Sequence, residues 1–186
     1  VVGWIIGIII LIVVIYLISI YNRLVVLKNK VDNSWAQVDV QLKRRYDLIP
    51  NLVETIKGYA THEKEIFENV ARARQFAIST QGPAEKSQAE NQLTQALRQL
   101  FAVAEAYPTL KANENFKALQ EELSSTENKI AFARQFYNDM VMKWNTMIVV
   151  FPNNMISGMF NLSKEREFFQ ATEEERKNVK VDFSGL

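Results

Sequence analysis

The first 21 residues, VVGWIIGIIILIVVIYLISIY, form an almost uninterrupted apolar run, and no charged side chain occurs before Arg23. As an α-helix this run is ~30 Å long, which matches the hydrocarbon thickness of a bilayer. A helix at the edge of a soluble core keeps a polar face, and this run has none. It is also too long for a cleaved signal peptide and lacks the small-residue cleavage pattern. We therefore expect a single, retained transmembrane helix at residues 1–21.

The residues that flank the run indicate how it would lie in the membrane. Aromatic side chains occur near both ends, and three cationic residues follow the run before the first acidic residue, Asp32. The positive-inside rule then predicts an N-terminus outside the cell and residues 22–186 in the cytoplasm, on a bacterial inner (cytoplasmic) membrane. The side chains expected at the membrane interface are Trp4, Tyr21, Arg23, Lys28 and Lys30.

Composition argues against several classes of function. Lysine and arginine total 22 and aspartate and glutamate 21, so the chain lacks the strongly basic balance of a nucleic-acid binder. There is no cysteine, and His62 is the only histidine, so H-E-x-x-H zinc sites and ferritin-like di-iron sites cannot form within it. We expect no catalytic site, metal or cofactor. An enzyme that uses only carboxylates, such as Asp47, Glu54, Glu63 and Glu127, is the disfavoured alternative.

A long helix is predicted after the apolar run. An apolar stripe with heptad-like spacing extends from Val31 to Ala77 and keeps its register through Pro50. That pattern predicts one helix over about residues 22–79, which continues the membrane helix and is kinked at Pro50.

Two further helices are predicted from residues that start or end helices and from apolar periodicity. Gly82 and Pro83 mark the start of the second, and Asn113 is a suitable N-cap for the third, which should end at Phe151-Pro152. The fold class is therefore all-α. We expect the N-terminal membrane helix to continue into an antiparallel bundle of three to four long helices.

The last part of the chain has a different character. Residues 153–164, NNMISGMFNLSK, look like a loop, and short helices are predicted to begin at Ser163 and Thr172. VKVDF at 179–183 alternates like a single strand. The predicted domains are thus a transmembrane helix at 1–21, a cytoplasmic helical bundle at 22–150 and an irregular tail at 151–186.

Several polar residues coincide with apolar stripes or face each other at helical spacing. Arg45 and Glu63 lie on the first stripe itself, where a polar residue can fix register or partner choice if it is paired. These residues indicate a structural polar network rather than a catalytic site. Its predicted members are Arg45, Asp47, Glu54, Glu63, Arg134 and Asn138.

The combination of segments resembles a known family. The apolar run is followed by YNRLVVLKNKVDNSWAQVDVQLKRRYDLIPNLVETIKGYATHEKE and later by AYPTLKANENFKALQEELSSTENKIAFARQFYNDMV. With the FP at 151–152 and the VKVDF tail, these segments closely resemble the LemA family of bacterial membrane proteins over essentially the whole chain. The resemblance implies a single-pass inner-membrane protein with a cytoplasmic helical domain and no agreed biochemical activity. Family members have been associated with envelope stress, two-component signalling and membrane organisation.

We expect a non-enzymatic, membrane-anchored protein that self-assembles into a scaffold. Its partners would be the lipid bilayer, further copies of the chain and an unidentified membrane protein, without nucleic acid. An apolar patch in the tail and the lone strand favour a homo-oligomer. The candidate oligomer-interface residues are Met155, Ile156, Met159, Phe160, Val179, Val181 and Phe183. The tail could instead pack on its own bundle, and the alternative function is a monomeric signalling or stress adaptor that binds a membrane kinase or protease.

Overall fold

The computed structural model of the chain describes residues 2–170. This part of the protein is helical and contains no strand. Six helices follow one another along it: α1 (Val2–Lys57), α2 (Lys64–Ser79), α3 (Pro83–Glu105), α4 (Pro108–Ala112), α5 (Glu114–Met147) and α6 (Asn153–Met159). The all-α prediction and the long apolar N-terminal helix are therefore confirmed.

Helix α1 contains 56 residues, and it passes through Pro50 without a break. Its N-terminal part is apolar on all sides, and the rest carries the heptad-like stripe, of which Val31, Val38, Leu42 and Ile49 are at most 2% exposed. Pro50 is exposed on the outer surface of the helix. The kink at Pro50 and the arrangement of the helices in one bundle stay predictions.

The predicted helix over residues 22–79 was wrong in its C-terminal half, because α1 ends at Lys57 and α2 begins at Lys64. Gly58 is the first residue of the intervening turn. Glycine disfavours continuation of the helix, because it costs about 1 kcal/mol relative to alanine in a helix interior. α2 then folds back along α1, and the Arg74 side chain donates from Nε to the Tyr46 carbonyl at 2.7 Å. The apolar stripe kept its heptad register because both arms of this hairpin bury one face.

Short signals at the later helix starts agree with the structure. Gly82 has φ +87°, a left-handed conformation that a side chain would disfavour, and Pro83 begins α3. Asn113 precedes α5, and its Oδ1 accepts a hydrogen bond from the Phe116 amide at 3.0 Å.

The chain divides into two compact units, and each is made of two stretches of sequence. Of the described residues, unit 1 contains 2–42 and 127–168, and unit 2 contains 43–126 and 169–170. The two units are therefore defined by contacts in space and not by continuous stretches of sequence. The predicted boundary at residue 21, between membrane helix and bundle, and the one at residue 150, between bundle and tail, both stay predictions.

Two predictions about the tail were wrong. The segment predicted to be a loop contains α6, which follows the turn after α5. No helix begins at Ser163, because residues 162–170 are extended or irregular. Side chains of α5 bind the backbone of this stretch, and a helix would use those same backbone groups internally. The helix predicted at Thr172 and the strand predicted at 179–183 lie outside the described residues.

Candidate functional site

The apolar part of α1 is the one helix within residues 2–170 that is long and apolar enough to cross a membrane. Its most apolar 18-residue window has a mean hydropathy of 2.9, and only 6% of that window is buried. Trp4 is 82% exposed near one end and Tyr21 is 36% exposed at the other. Arg23 and Lys30 are also exposed, and Lys28 is half-buried.

Unit 2 contains an ion pair in its interior. The Arg45 guanidinium donates from Nη1 to Glu90 Oε2 at 2.9 Å, and from Nη2 to Thr94 Oγ1 at 2.9 Å. The side chains of Arg45 and Glu90 are only 5% and 7% exposed. This pair connects α1 to α3, and the planar guanidinium fixes the rotation of one helix against the other.

Two further residues complete this cluster, which we call the buried polar network. The Tyr46 hydroxyl donates a short hydrogen bond to Glu90 Oε1. Lys86 is 6% exposed, and its ammonium donates to the carbonyl oxygens of Ala77 at 3.0 Å and Thr80 at 3.1 Å. Because those carbonyls end α2, Lys86 places a cation at the negative end of that helix dipole. The same ammonium lies 5.5 Å from the centre of the Tyr46 ring.

Burial is the main influence on the acidity of this network. Removal of Glu90 from water raises the pKa of its carboxyl above the ordinary value of 4.5. The positive charges of Arg45 and Lys86 and the hydrogen bond from Tyr46 lower that pKa, but their combined effect is smaller. Every charged group in the network has a charged or hydrogen-bonding partner. Its bonds connect α1 and α2 to α3 within unit 2.

The structure places only Arg45, of the six predicted network residues, in this cluster. Asp47 is exposed on α1, and exposed Glu54 pairs with Lys57 at 2.9 Å one turn later. Glu63 is half-buried in the turn before α2, where its carbonyl accepts hydrogen bonds from the amides of Ile66 and Phe67. Arg134 and Asn138 lie half-buried on the part of α5 that belongs to unit 1.

The partner of Arg45 was missed by sequence reasoning. Glu90 lies one position beyond Ala89, the residue assigned to the apolar stripe of α3. Leu97, seven residues after Glu90, is buried as well, so the buried face of α3 is wider than a strict heptad seam. A search for a single acidic residue at the edge of such a widened stripe would have found Glu90.

Within residues 2–170 no three or more histidine or acidic side chains come together as a metal site. His62 is exposed in the turn between α1 and α2, as expected for a surface residue.

In unit 1, α5 holds an extended stretch of chain that we call the strap, residues 162–168. Trp144 Nε1 donates to the Lys164 carbonyl at 2.9 Å, and the Tyr137 hydroxyl donates to the Glu167 carbonyl at 2.8 Å. Asn145 makes a reciprocal pair of hydrogen bonds with the backbone of Arg166, at 3.0 and 2.8 Å. Burial raises the pKa of Tyr137 to about 12.

Unit 1 also has an exposed apolar groove between α1 and α5. Phe132, Phe136 and Val40 are 74%, 47% and 63% exposed. They line the groove together with Ala36 and Ala133, and polar residues surround them. We call this surface the α1–α5 groove. Large apolar side chains at such exposure are typical of a surface that binds another molecule.

A second exposed apolar surface of unit 1 lies after α5. Residues 148–161, which we call the uncharged segment, contain no charged side chain. Of the predicted oligomer-interface residues here, Met155, Met159 and Phe160 are 60%, 75% and 52% exposed. Ile156 is only 5% exposed, so its assignment to an oligomer interface was wrong: α6 turns this side chain inward. Val179, Val181 and Phe183 lie outside the described residues.

Comparison with known proteins identifies the family. The model of the LemA family matches residues 34–183, which is most of the chain. The chain belongs to the LemA family. It is 27% identical over 169 residues to protein LemA of Metamycoplasma hominis, and the match covers 89% of this chain and 74% of that protein.

Two further relatives of this LemA-family protein are magnetosome proteins. It is 24% identical over 176 residues to MamQ 2 of Paramagnetospirillum magneticum and 23% identical over 175 residues to MamQ of Magnetospirillum gryphiswaldense. These matches cover 81% and 80% of the LemA-family chain, but only 64% of each magnetosome protein. The family membership and the apolar N-terminal helix fit a single-pass membrane protein.

Proposed function

We propose that this LemA-family protein is a non-enzymatic, membrane-anchored helical protein whose copies self-assemble side by side into a scaffold of the bacterial inner membrane. Residues 22–186 lie in the cytoplasm in this proposal, and the N-terminus lies outside. The observation that carries the proposal is the α1–α5 groove, an exposed apolar surface of unit 1 on the helix that continues the apolar run.

The position of the groove on α1 favours a second copy of the chain as its occupant. An apolar run that spans the bilayer holds every copy in the same orientation and at the same height. Val40 is 19 residues beyond Tyr21 on one continuous helix, so the groove lies ~28 Å from the end of the run in each copy. A two-fold axis along the membrane normal therefore brings groove to groove, and the rings of Phe132 and Phe136 become buried between copies.

The chemistry of the groove suits a weak contact that becomes significant in a membrane. Two phenylalanines four residues apart on α5 offer large area at low entropic cost. Lys129 and the side-chain amides of Asn33, Gln37 and Gln41 surround them as a polar rim. Anchoring confines the copies to two dimensions, and this raises their effective concentration.

A chain without cysteine allows a direct test. The Phe132→Cys variant, in membranes treated with a mild oxidant, should form a disulfide-linked dimer through position 132. Ala131→Cys is the matched control, because position 131 is also exposed but lies roughly 100° around α5. Dimer from position 132 and little from 131 supports the proposal. Equal crosslinking at both positions, or none at 132, contradicts it.

A mass measurement separates the scaffold from the adaptor. The full-length protein in nanodiscs should show species of two or more copies by mass photometry, and Phe132→Asp with Phe136→Asp should reduce the groove-linked pairs to single copies. A wild-type protein that remains a single copy in both nanodiscs and mild detergent overturns self-assembly. Stoichiometric crosslinking of that single copy to one membrane protein would then establish the adaptor.

A further inference from the structure

The uncharged segment occupies a defined place in unit 1. Trp35 of α1 packs on Tyr137 of α5 with ring centres 5.1 Å apart, and Met147 lines a groove with Asn22 and Val26. Later residues of α5 thus meet earlier residues of α1, so the two helices are antiparallel and the C-terminal end of α5 points toward the apolar run. The uncharged segment continues in that direction from the end of α5.

Contacts with the apolar run set the height of this segment. The Phe160 ring lies 4.7 Å from the Tyr21 ring, centre to centre. Ile20, one residue earlier, is 3% exposed, although the residues from Val2 to Ile18 are exposed. The uncharged segment therefore lies beside the last turn of the run, before the first charged residue of α1.

Four large apolar side chains of this segment face outward. Phe151 is 79% exposed, Met159 75%, Met155 60% and Val149 58%. The nearest charged residues along the chain are Lys143 on one side and Lys164 on the other, and both are exposed cations. An exposed apolar surface with cationic borders is the composition of a protein segment that lies in the interface of an anionic bilayer.

We propose that residues 148–161 form a second membrane contact, which inserts into the headgroup–acyl boundary of the same bilayer that α1 crosses. Phe151, Met155 and Met159 enter the boundary, ~5–10 Å deep as for other interfacial segments. Lys143 and Lys164 remain at the level of the anionic headgroups. The proposal rests on anchoring by α1 and is independent of self-assembly through the α1–α5 groove.

Lipid is a better occupant than a second copy for one geometric reason. The segment is continuous with the lipid-facing surface of the apolar run, through the contact of Phe160 with Tyr21. A surface at that height faces headgroups and acyl chains around its outer edge. Unit 1 then contacts the membrane through both the apolar run and the uncharged segment. A tilt of unit 1 away from the bilayer would move the apolar side chains of the uncharged segment into water.

The test uses the full chain in vesicles of phosphatidylcholine and phosphatidylglycerol. Single cysteines replace Phe151, Met159 or Gln135, and each is labelled with an environment-sensitive fluorophore. Gln135 is the control because it is exposed in the same unit, on α5 and ~18 Å along that helix from Met147. Flotation with the vesicles confirms anchoring of every variant. Two quenchers are then compared, a spin-labelled lipid and aqueous iodide.

We expect the labels at positions 151 and 159 to lose most of their emission to the spin-labelled lipid and little to iodide. The label at 135 should behave in the opposite way. Iodide quenching at 151 and 159 equal to that at 135 overturns the proposal. A second result would also overturn it: labels at 151 and 159 that neither quencher reaches, but that iodide quenches once the protein is diluted in lipid. This result would identify a contact between copies.

Discussion

Unit 2 and unit 1 depart from the usual distribution of side chains in opposite ways. In unit 2, charged groups are inside: Arg45, Lys86 and Glu90 are each at most 7% exposed. In unit 1, apolar groups are outside, with Phe132, Phe151 and Met159 each more than 70% exposed. Both features are costly, since charges lose hydration in the interior and apolar surfaces order water outside. The first cost is offset within the chain, and the second is offset only by another molecule.

The comparison indicates a division of roles. The buried polar network fixes how α1, α2 and α3 are aligned, because each of its bonds requires one rotation and one register of the helices. The exposed surfaces of unit 1 contribute nothing to that alignment, and they are available to lipid and to other copies. Stability should therefore depend on the polar residues of unit 2, and association on the apolar residues of unit 1.

The largest expected effect is on the ion pair of the network. Glu90→Ala leaves the Arg45 guanidinium buried without its countercharge, and we expect the free energy of unfolding to fall by about 3–5 kcal/mol. The double variant Arg45→Met with Glu90→Leu should lose much less than the two single variants together, since no charge remains buried. Denaturant midpoints followed by helical circular dichroism in mild detergent measure both.

Arg44 provides the matched control for this cycle. It precedes Arg45 on α1 and pairs with Glu122 at 2.8 Å, but both side chains are more than 40% exposed. Arg44→Ala should therefore cost only about 0–1 kcal/mol. If Glu90→Ala and Arg44→Ala cost the same, the buried network has no special role in unit 2.

A smaller effect is expected where unit 1 does use a polar bond for stability. Tyr137→Phe removes the hydrogen bond to the strap and should cost about 0.5–1.5 kcal/mol at neutral pH. Since the pKa of Tyr137 is about 12 in the folded protein and 10.0 in its ordinary state, the unfolded chain loses this proton first as pH rises. The folded state binds more protons between pH 10 and 12, so this contribution to stability falls across that window.

The measurement for this prediction is the difference in thermal midpoint between the wild type and Tyr137→Phe as a function of pH. The difference should be constant below pH 10 and shrink from pH 10 to 12. Titration of other groups affects both proteins and cancels. A difference that is independent of pH would mean that the Tyr137 hydroxyl is not bound in the folded protein.

The smallest expected effect on stability is in the α1–α5 groove. Phe132→Ser should change the free energy of unfolding by no more than about 0.5 kcal/mol, because the ring is exposed in the single chain. Ile130→Ala, two residues earlier but with a side chain only 7% exposed, should cost about 2–5 kcal/mol. Denaturation of single copies in detergent distinguishes them. A large loss from Phe132→Ser would assign that ring to the core.

Local signals in the sequence predicted much of the helical structure. The apolar run, the Gly82-Pro83 start of α3 and the Asn113 cap of α5 all depend on neighbouring residues alone. The turn after Gly58 was missed because a heptad pattern is equally satisfied by one long helix and by two arms of a hairpin. Glu90 was missed since its role comes from a contact with Arg45, 45 residues away. Periodicity within one helix carries no information about that contact.

The strap has a consequence for how this family can change over time. Trp144, Tyr137 and Asn145 of α5 bind carbonyl and amide groups of the strap, and every amino acid presents those groups alike. Substitution of Lys164, Glu165 or Glu167 leaves these bonds in place, so selection for docking is weak at those positions. The side-chain charges of the strap can therefore change during evolution while the strap still binds α5. Conservation of Trp144 or Asn145 would reflect the binding of the strap. Divergent relatives should therefore conserve the α5 residues that bind the strap and vary the side chains of the strap itself.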